Sequence, residues 1–336
     1  MSDPAELTHK IRDALAPCSL GRWPTPLEQA PGLARALGAR CLWVKREDCS
    51  SARCGGSKVR GLEFLLAGAP LDTVFVTLGS TGSTHCLGTV VHAGDLGHRT
   101  ALAQFPQPET AASRAVAQAC SAHAALVVRA ESKAGLPLAV MRAWRGARGL
   151  GQRRWIPAGG THPRAVVGHL LAVLELAEQL TAPPDAIVTP LGTGGTAAGL
   201  LLGVGALDWP TLVIAVRVAP AVVANRWRTA WLARATLRVL ARHGLPVPRP
   251  PSLFPRVLDG LGSGYGYPSA AGEVARREAL EHGLVLDPTY GAKAFAALRP
   301  LAARGLGRIV FWHTFALPSP SSLAPRSAGG DSSADR

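Results

Sequence analysis

The sequence predicts an α/β protein of mostly parallel sheets with helices on both faces, three layers deep, in two domains or one large α/β unit. Three observations carry this. Seven short apolar runs recur along the chain: "CLWVK", "TVFVTLG", "TALAQF", "ALVVRA", "AIVTPLG", "TLVIAVRVA" and "RIVFWHT". Stretches of helical period lie between them, among them "PRAVVGHLLAVLELAEQL" and "TAAGLLLGVGAL". The length of 336 residues is ample for two cores.

In chain order, the run at 41–45 precedes a glycine-bearing segment and an amphipathic helix. The runs at 73–79, 100–105 and 125–130 follow, and those at 186–192, 211–219 and 308–314 complete the series. Strands alternating with helices pair in parallel, and ligands of such sheets gather at the carboxyl ends of the strands. "HGLPVPRPPSLFPR", at 243–256, reads as a proline-rich loop. From 317 to 336 the chain is a Ser/Pro/Ala/Gly tail with no packing pattern, expected to be disordered.

Composition narrows the function. No apolar run approaches the roughly 18 residues of a membrane span, and "MSDPAELTHKIRDALAPC" lacks a signal-type core, so no membrane partner and a cytoplasmic location are expected. The six cysteines are expected to be reduced thiols. Cys49 and Cys54 are followed by no second ligand pair, which argues against a metal site. A net charge of +14 raises the question of nucleic acid, and eight arginines with no acidic residue lie between Arg217 and Arg256. Arg234, Arg238 and Arg242 recur every fourth residue, as on one solvated helix face, and no nucleic-acid motif accompanies them. A nucleic-acid partner is not expected.

"CGGSKVRGLEFLLAG" sets Lys58 between a glycine pair and a helix. A phosphate loop of the Walker type needs glycine before the lysine and Ser or Thr after it; here Ser57 and Val59 stand there. The other chemical use of such a lysine is an imine with an aldehyde. Lys45, Arg46 and Arg60 are expected to favour the neutral amine that this needs. A plain surface lysine remains the alternative. "TPLGTGGTAAGLLLG" then places Gly192, Thr193, Gly194, Gly195 and Thr196 between a strand and a helix start. Free amides and the helix dipole there suit a single phosphate better than a dinucleotide, whose fingerprint is absent. A reactive lysine with a monophosphate cradle points to pyridoxal 5'-phosphate.

The segments "WPTPLEQAPGLARALGARCLWVKREDCSS", "GGSKVRGLEFLL", "TLGSTGSTHC", "IPAGGTHPRAVVGHLLAVLEL", "GTGGTAAGL", "GSGYGYPSAAGE" and "LVLDPTYGAKAFAAL" occur in that order. From Pro24 to Thr314 the chain resembles the fold-type II pyridoxal-phosphate enzymes, of tryptophan synthase β-like fold. Within them it resembles the group of D-cysteine desulfhydrase and 1-aminocyclopropane-1-carboxylate deaminase. The resemblance implies a cofactor in a cleft between a larger domain (1–71 and 157–316) and a smaller one (72–156), and a homodimer. It implies that Lys58 holds the cofactor, that Ser83 lies near the substrate carboxylate and reacting carbon, and that Tyr265 and Tyr290 are the active-site tyrosines. Thr314 then faces the pyridine nitrogen, and Thr84 stands where the family has an asparagine touching the phenolic oxygen. Read without the resemblance, Ser83 is equally a helix N-cap.

Gly291 and Thr314 depart from the deaminase pattern, and Thr314 agrees with the desulfhydrase one. The resemblance therefore implies β-elimination from a small amino acid, with D-cysteine as the preferred substrate. A 1-aminocyclopropane-1-carboxylate deaminase-like enzyme, another enzyme that deaminates or racemises a small amino acid, and a degenerate relative with little activity remain the alternatives. Phe315 and Ala316 replace the family's glycine pair, so a ring is expected to crowd the cofactor and weaken its binding.

Overall fold

A computed structural model describes residues 3–245, 247–318 and 323. Ten strands form two sheets: β1 (Leu27–Gln29), β2 (Cys41–Arg46), β3 (Thr73–Ser80), β4 (Arg99–Phe105), β5 (Leu126–Arg129), β6 (Gln152–Trp155), β7 (Ala186–Leu191), β8 (Leu212–Arg217), β9 (Arg256–Asp259) and β10 (Arg308–His313). The larger sheet runs β1-β2-β10-β7-β8-β9 and the smaller β5-β4-β3-β6. Every neighbouring pair is parallel except β1 with β2. This is the α/β architecture that the strand–helix alternation predicts, in the two domains that the resemblance implies.

All seven apolar runs form strands. The sequence does not disclose β1, β6 and β9, each of three or four residues at a sheet edge. Such strands carry too few buried side chains to leave a pattern, and "QRRW" of β6 is mostly exposed. In the tail, Leu323 packs against the cluster of Cys54, Cys86 and Cys120; residues 319–322 and 324–336 lie outside those described. No helix among the described residues is long and apolar enough to cross a membrane. Of the arginine stripe, Arg238 and Arg242 are exposed, while Arg234 lies over the Phe254 ring.

Three helices fix the site. The helix Lys58–Leu66 lies on the helix Pro163–Gln179, which lies on the helix Gly195–Ala206. Glycines permit both contacts. A Cβ on Gly168 would fall 2.2 Å from the Arg60 carbonyl oxygen, and one on Gly199 would fall 2.3 Å from His169 Cβ. Polar groups lock the first contact. Arg60 donates to Glu47 at 2.7 Å and to Glu175 at 2.9 Å, and lies 3.9 Å over the Trp23 ring. Lys45 pairs with the same Glu175.

Candidate active site

A cavity of about 450 Å³ opens at the carboxyl ends of β3, β7, β8 and β10. Lys58, Ser83, Thr84, the turn Gly192 to Thr196, Tyr265, Tyr290 and Thr314 all line it. The structure thus brings the candidate site residues named from the sequence to one cavity.

The turn follows β7 directly and opens the next helix. Gly194 has φ +93°, where a side chain is strained, and a Cβ there would meet Thr229 Oγ1 at 3.0 Å. No side chain caps this helix, so its first amides are free for an anion. The turn is held from outside: Arg228 Nε donates to the Thr193 carbonyl at 3.1 Å, and the Thr161 hydroxyl bonds that of Thr193.

Lys58 begins its helix on a pinned approach. Ser57 N donates to the Thr314 carbonyl at 2.9 Å, and Ser50 Oγ accepts from Gly56 N at 2.9 Å. Burial alone pushes the Lys58 ammonium down to about 8, and it has no hydrogen bond or ion pair among the described residues. The cations expected to cause this do not. Lys45 and Arg60 spend their charge on Glu175 and Glu47, and Arg46 on Asp48 and Glu28. Desolvation of an amine at a helix start has the same outcome.

Ser83 is a helix N-cap that also borders the cavity. Its Oγ accepts from Cys86 N at 3.3 Å as the N-cap of the helix Thr84–Asp95, and it lines the cavity. The Tyr265 and Tyr290 hydroxyls are 2.6 Å apart, and Tyr265 is 3.4 Å from Ser80 Oγ. Burial raises both phenols above their ordinary range, so both keep their protons at neutral pH. Phe315 is buried in the wall with its ring on Gly56, 3.3 Å from the place of a Cβ there.

Four supporting residues are not evident from sequence reading. Asp287 accepts from the backbone of Thr289, Tyr290 and Gly291 at 2.7–3.0 Å. Lys293 Nζ donates to the Leu261 and Gly264 carbonyls at 2.8 and 3.0 Å, which holds the Tyr265 loop. Both act on backbone atoms, though Asp three residues before Tyr in "DPTY" is a turn signal. His85, 2.9 Å from Thr77 Oγ1, and Thr161 have no distinguishing sequence context.

A family model described as pyridoxal-phosphate dependent enzyme matches residues 18–314. The chain belongs to this family. Among its relatives, nocardicin C-9' epimerase of Nocardia uniformis subsp. tsuyamanensis is 35% identical, over 87% of this chain and 90% of the relative. D-cysteine desulfhydrase of Salmonella paratyphi C is 31% identical, over 88% and 92%. A crystal structure of a homologue of ACC (1-aminocyclopropane-1-carboxylate) deaminase is similar at TM-score 0.78 and 29% identity, covering 92% of this chain and 95% of that one. The pyridoxal-phosphate enzyme fits its cofactor on its own geometry: the depressed amine of Lys58 and the uncapped helix start at Gly195 share a single cavity.

Proposed function

We propose that this enzyme eliminates the β-substituent of a small amino acid, D-cysteine first, giving pyruvate, ammonia and sulfide with one water consumed. One observation carries the choice: among the described residues, the cavity wall holds no carboxylate. Asp287, the acid nearest the tyrosine pair in sequence, is occupied with three backbone amides, and Gly291 stands where the resemblance implies an acid in the deaminases. Thr314, the hydroxyl that the resemblance sets at the cofactor's ring nitrogen, would be a neutral partner that moderates electron demand and suits rapid loss of a leaving group.

The Gly192–Thr196 turn would hold the phosphate, Lys58 the aldehyde carbon, and Thr84 the phenolic side. When bound, pyridoxal phosphate supplies the sink for negative charge at the substrate α-carbon. Lys58, neutral in part near pH 7, takes the α-proton. Ser83 receives the substrate carboxylate at its helix N-terminus. The protonated Tyr265–Tyr290 pair donates a hydrogen bond towards the departing hydrosulfide. The proposed assembly is a homodimer in the cytoplasm, with domains at 1–71 with 157–316 and at 72–156.

Borohydride reduction of the holoenzyme followed by peptide mapping is expected to leave a pyridoxyl adduct on Lys58. A panel of D-cysteine, L-cysteine and 1-aminocyclopropane-1-carboxylate, scored for pyruvate, sulfide and 2-oxobutanoate, is expected to favour D-cysteine. Predominant 2-oxobutanoate from the cyclopropane would transfer the reading to a deaminase.

A further inference from the structure

Lys58 also borders a second cavity of about 10 Å³, walled by Gly61, Gly159, Gly160, Gly195 and His169. By this measure it has room for about one water. His169 is 4% exposed, and its Nδ1 is buried without a hydrogen-bond partner among the described residues. Buried ring nitrogens are rarely left so; protein or an ordered water satisfies them. The helix Gly195–Ala206 packs closely on this residue at Gly199, where a Cβ would stand 2.3 Å from His169 Cβ.

The charges around Lys58 leave it few other partners. Arg60, on its own helix, is neutralised by Glu47 and Glu175. From the helix Thr84–Asp95, His85 bonds Thr77. Tyr265, Tyr290 and Lys133 face the main cavity. His169 comes from the helix Pro163–Gln179, and burial first, then Lys58 and Arg60, keep it neutral. A neutral imidazole has one nitrogen to accept a hydrogen bond.

We propose that the small cavity is a single-water site through which His169, as a positioning residue, orients the Lys58 amine and accepts the hydrogen bond of its ammonium form. The proposal rests on the reading of Lys58 as the reacting amine. Because the site borders Lys58 from a second cavity, it would serve the amine while substrate fills the main one.

A high-resolution crystal structure of the holoenzyme is expected to show one water within hydrogen-bond distance of Lys58 Nζ and a His169 ring nitrogen. In the apoenzyme, the pH dependence of Lys58 labelling by an amine-reactive reagent reads the ammonium directly. His169→Phe removes the acceptor and is expected to lower the labelling midpoint by roughly half a pH unit or more. His169→Asn, whose amide can stand in for Nδ1, is expected to restore it. A dry cavity in the wild-type crystal, or an unchanged midpoint in a folded His169→Phe, would overturn the proposal. The wild-type crystal decides even where that variant does not fold. Failure of borohydride to label Lys58 would remove the assigned reaction and leave the water observation standing.

Discussion

At Lys58 the protein holds an amine partly out of water with nothing to compensate its charge. The folded value of about 8 lies below the ordinary 10.5. Between those values the unfolded chain binds more protons, so stability rises with pH across that window, and the cost is complete below 8. Lys58→Met in the apoenzyme is therefore expected to raise stability at pH 7. The gain should be about 1–2 kcal/mol, less than the full shift because the amine faces an open cavity. Melting curves at pH 7 and above pH 10.5 check this, since the gap should close at the higher value. Phe315 poses the opposite question. Its ring packs on Gly56 yet lines the cavity. Phe315→Ala is expected to cost about 3 kcal/mol of stability while tightening cofactor binding, measured by absorbance titration. Affinity falling together with stability would show that the ring supports the site.

At the scale of elements, the strand–turn–helix at 186–206 does the positioning. Gly194 at φ +93° has no room for a Cβ beside Thr229. Gly194→Ala adds roughly 1–2 kcal/mol of backbone strain and displaces the turn that cradles the phosphate. Cofactor affinity is expected to drop at least about tenfold with the circular dichroism spectrum unchanged; unaltered affinity would mean that the phosphate sits elsewhere. This turn was legible in the sequence because its glycines mark a conformation only glycine adopts freely. So were Lys58 and the seven strands that carry apolar runs, which burial sets. The props of the tyrosines were not. Asp287 and Lys293 bind backbone carbonyls and amides that no residue pattern names, and the depressed Lys58 ammonium comes from burial, which a list of neighbouring charges misattributes.

Across the whole molecule, one buried ion cluster ties β2, the residues before it, the Lys58 helix and the helix Pro163–Gln179. Glu175 is its hub, bonded to Thr25, Lys45 and Arg60. Burial pushes its carboxyl up, but Arg60 and Lys45 outweigh this and hold it below the ordinary 4.5. A depressed carboxyl contributes stability that is fully present above its unfolded value and is lost as pH falls through the folded one. Glu175→Ala leaves the buried Lys45 without its ion-pair partner and Arg60 with Glu47 alone, and is expected to cost about 3–5 kcal/mol at pH 7. Because the cluster fixes the Lys58 helix against its neighbour, acid should dismantle the fold and the cofactor site together. Tryptophan fluorescence and cofactor absorbance of the holoenzyme are expected to change at one midpoint below pH 4.5. In Glu175→Gln, whose amide does not titrate, the pH dependence in that window should flatten. Cofactor lost well before the fluorescence changes would mean that the cluster stabilises the core without governing the place of the reacting amine.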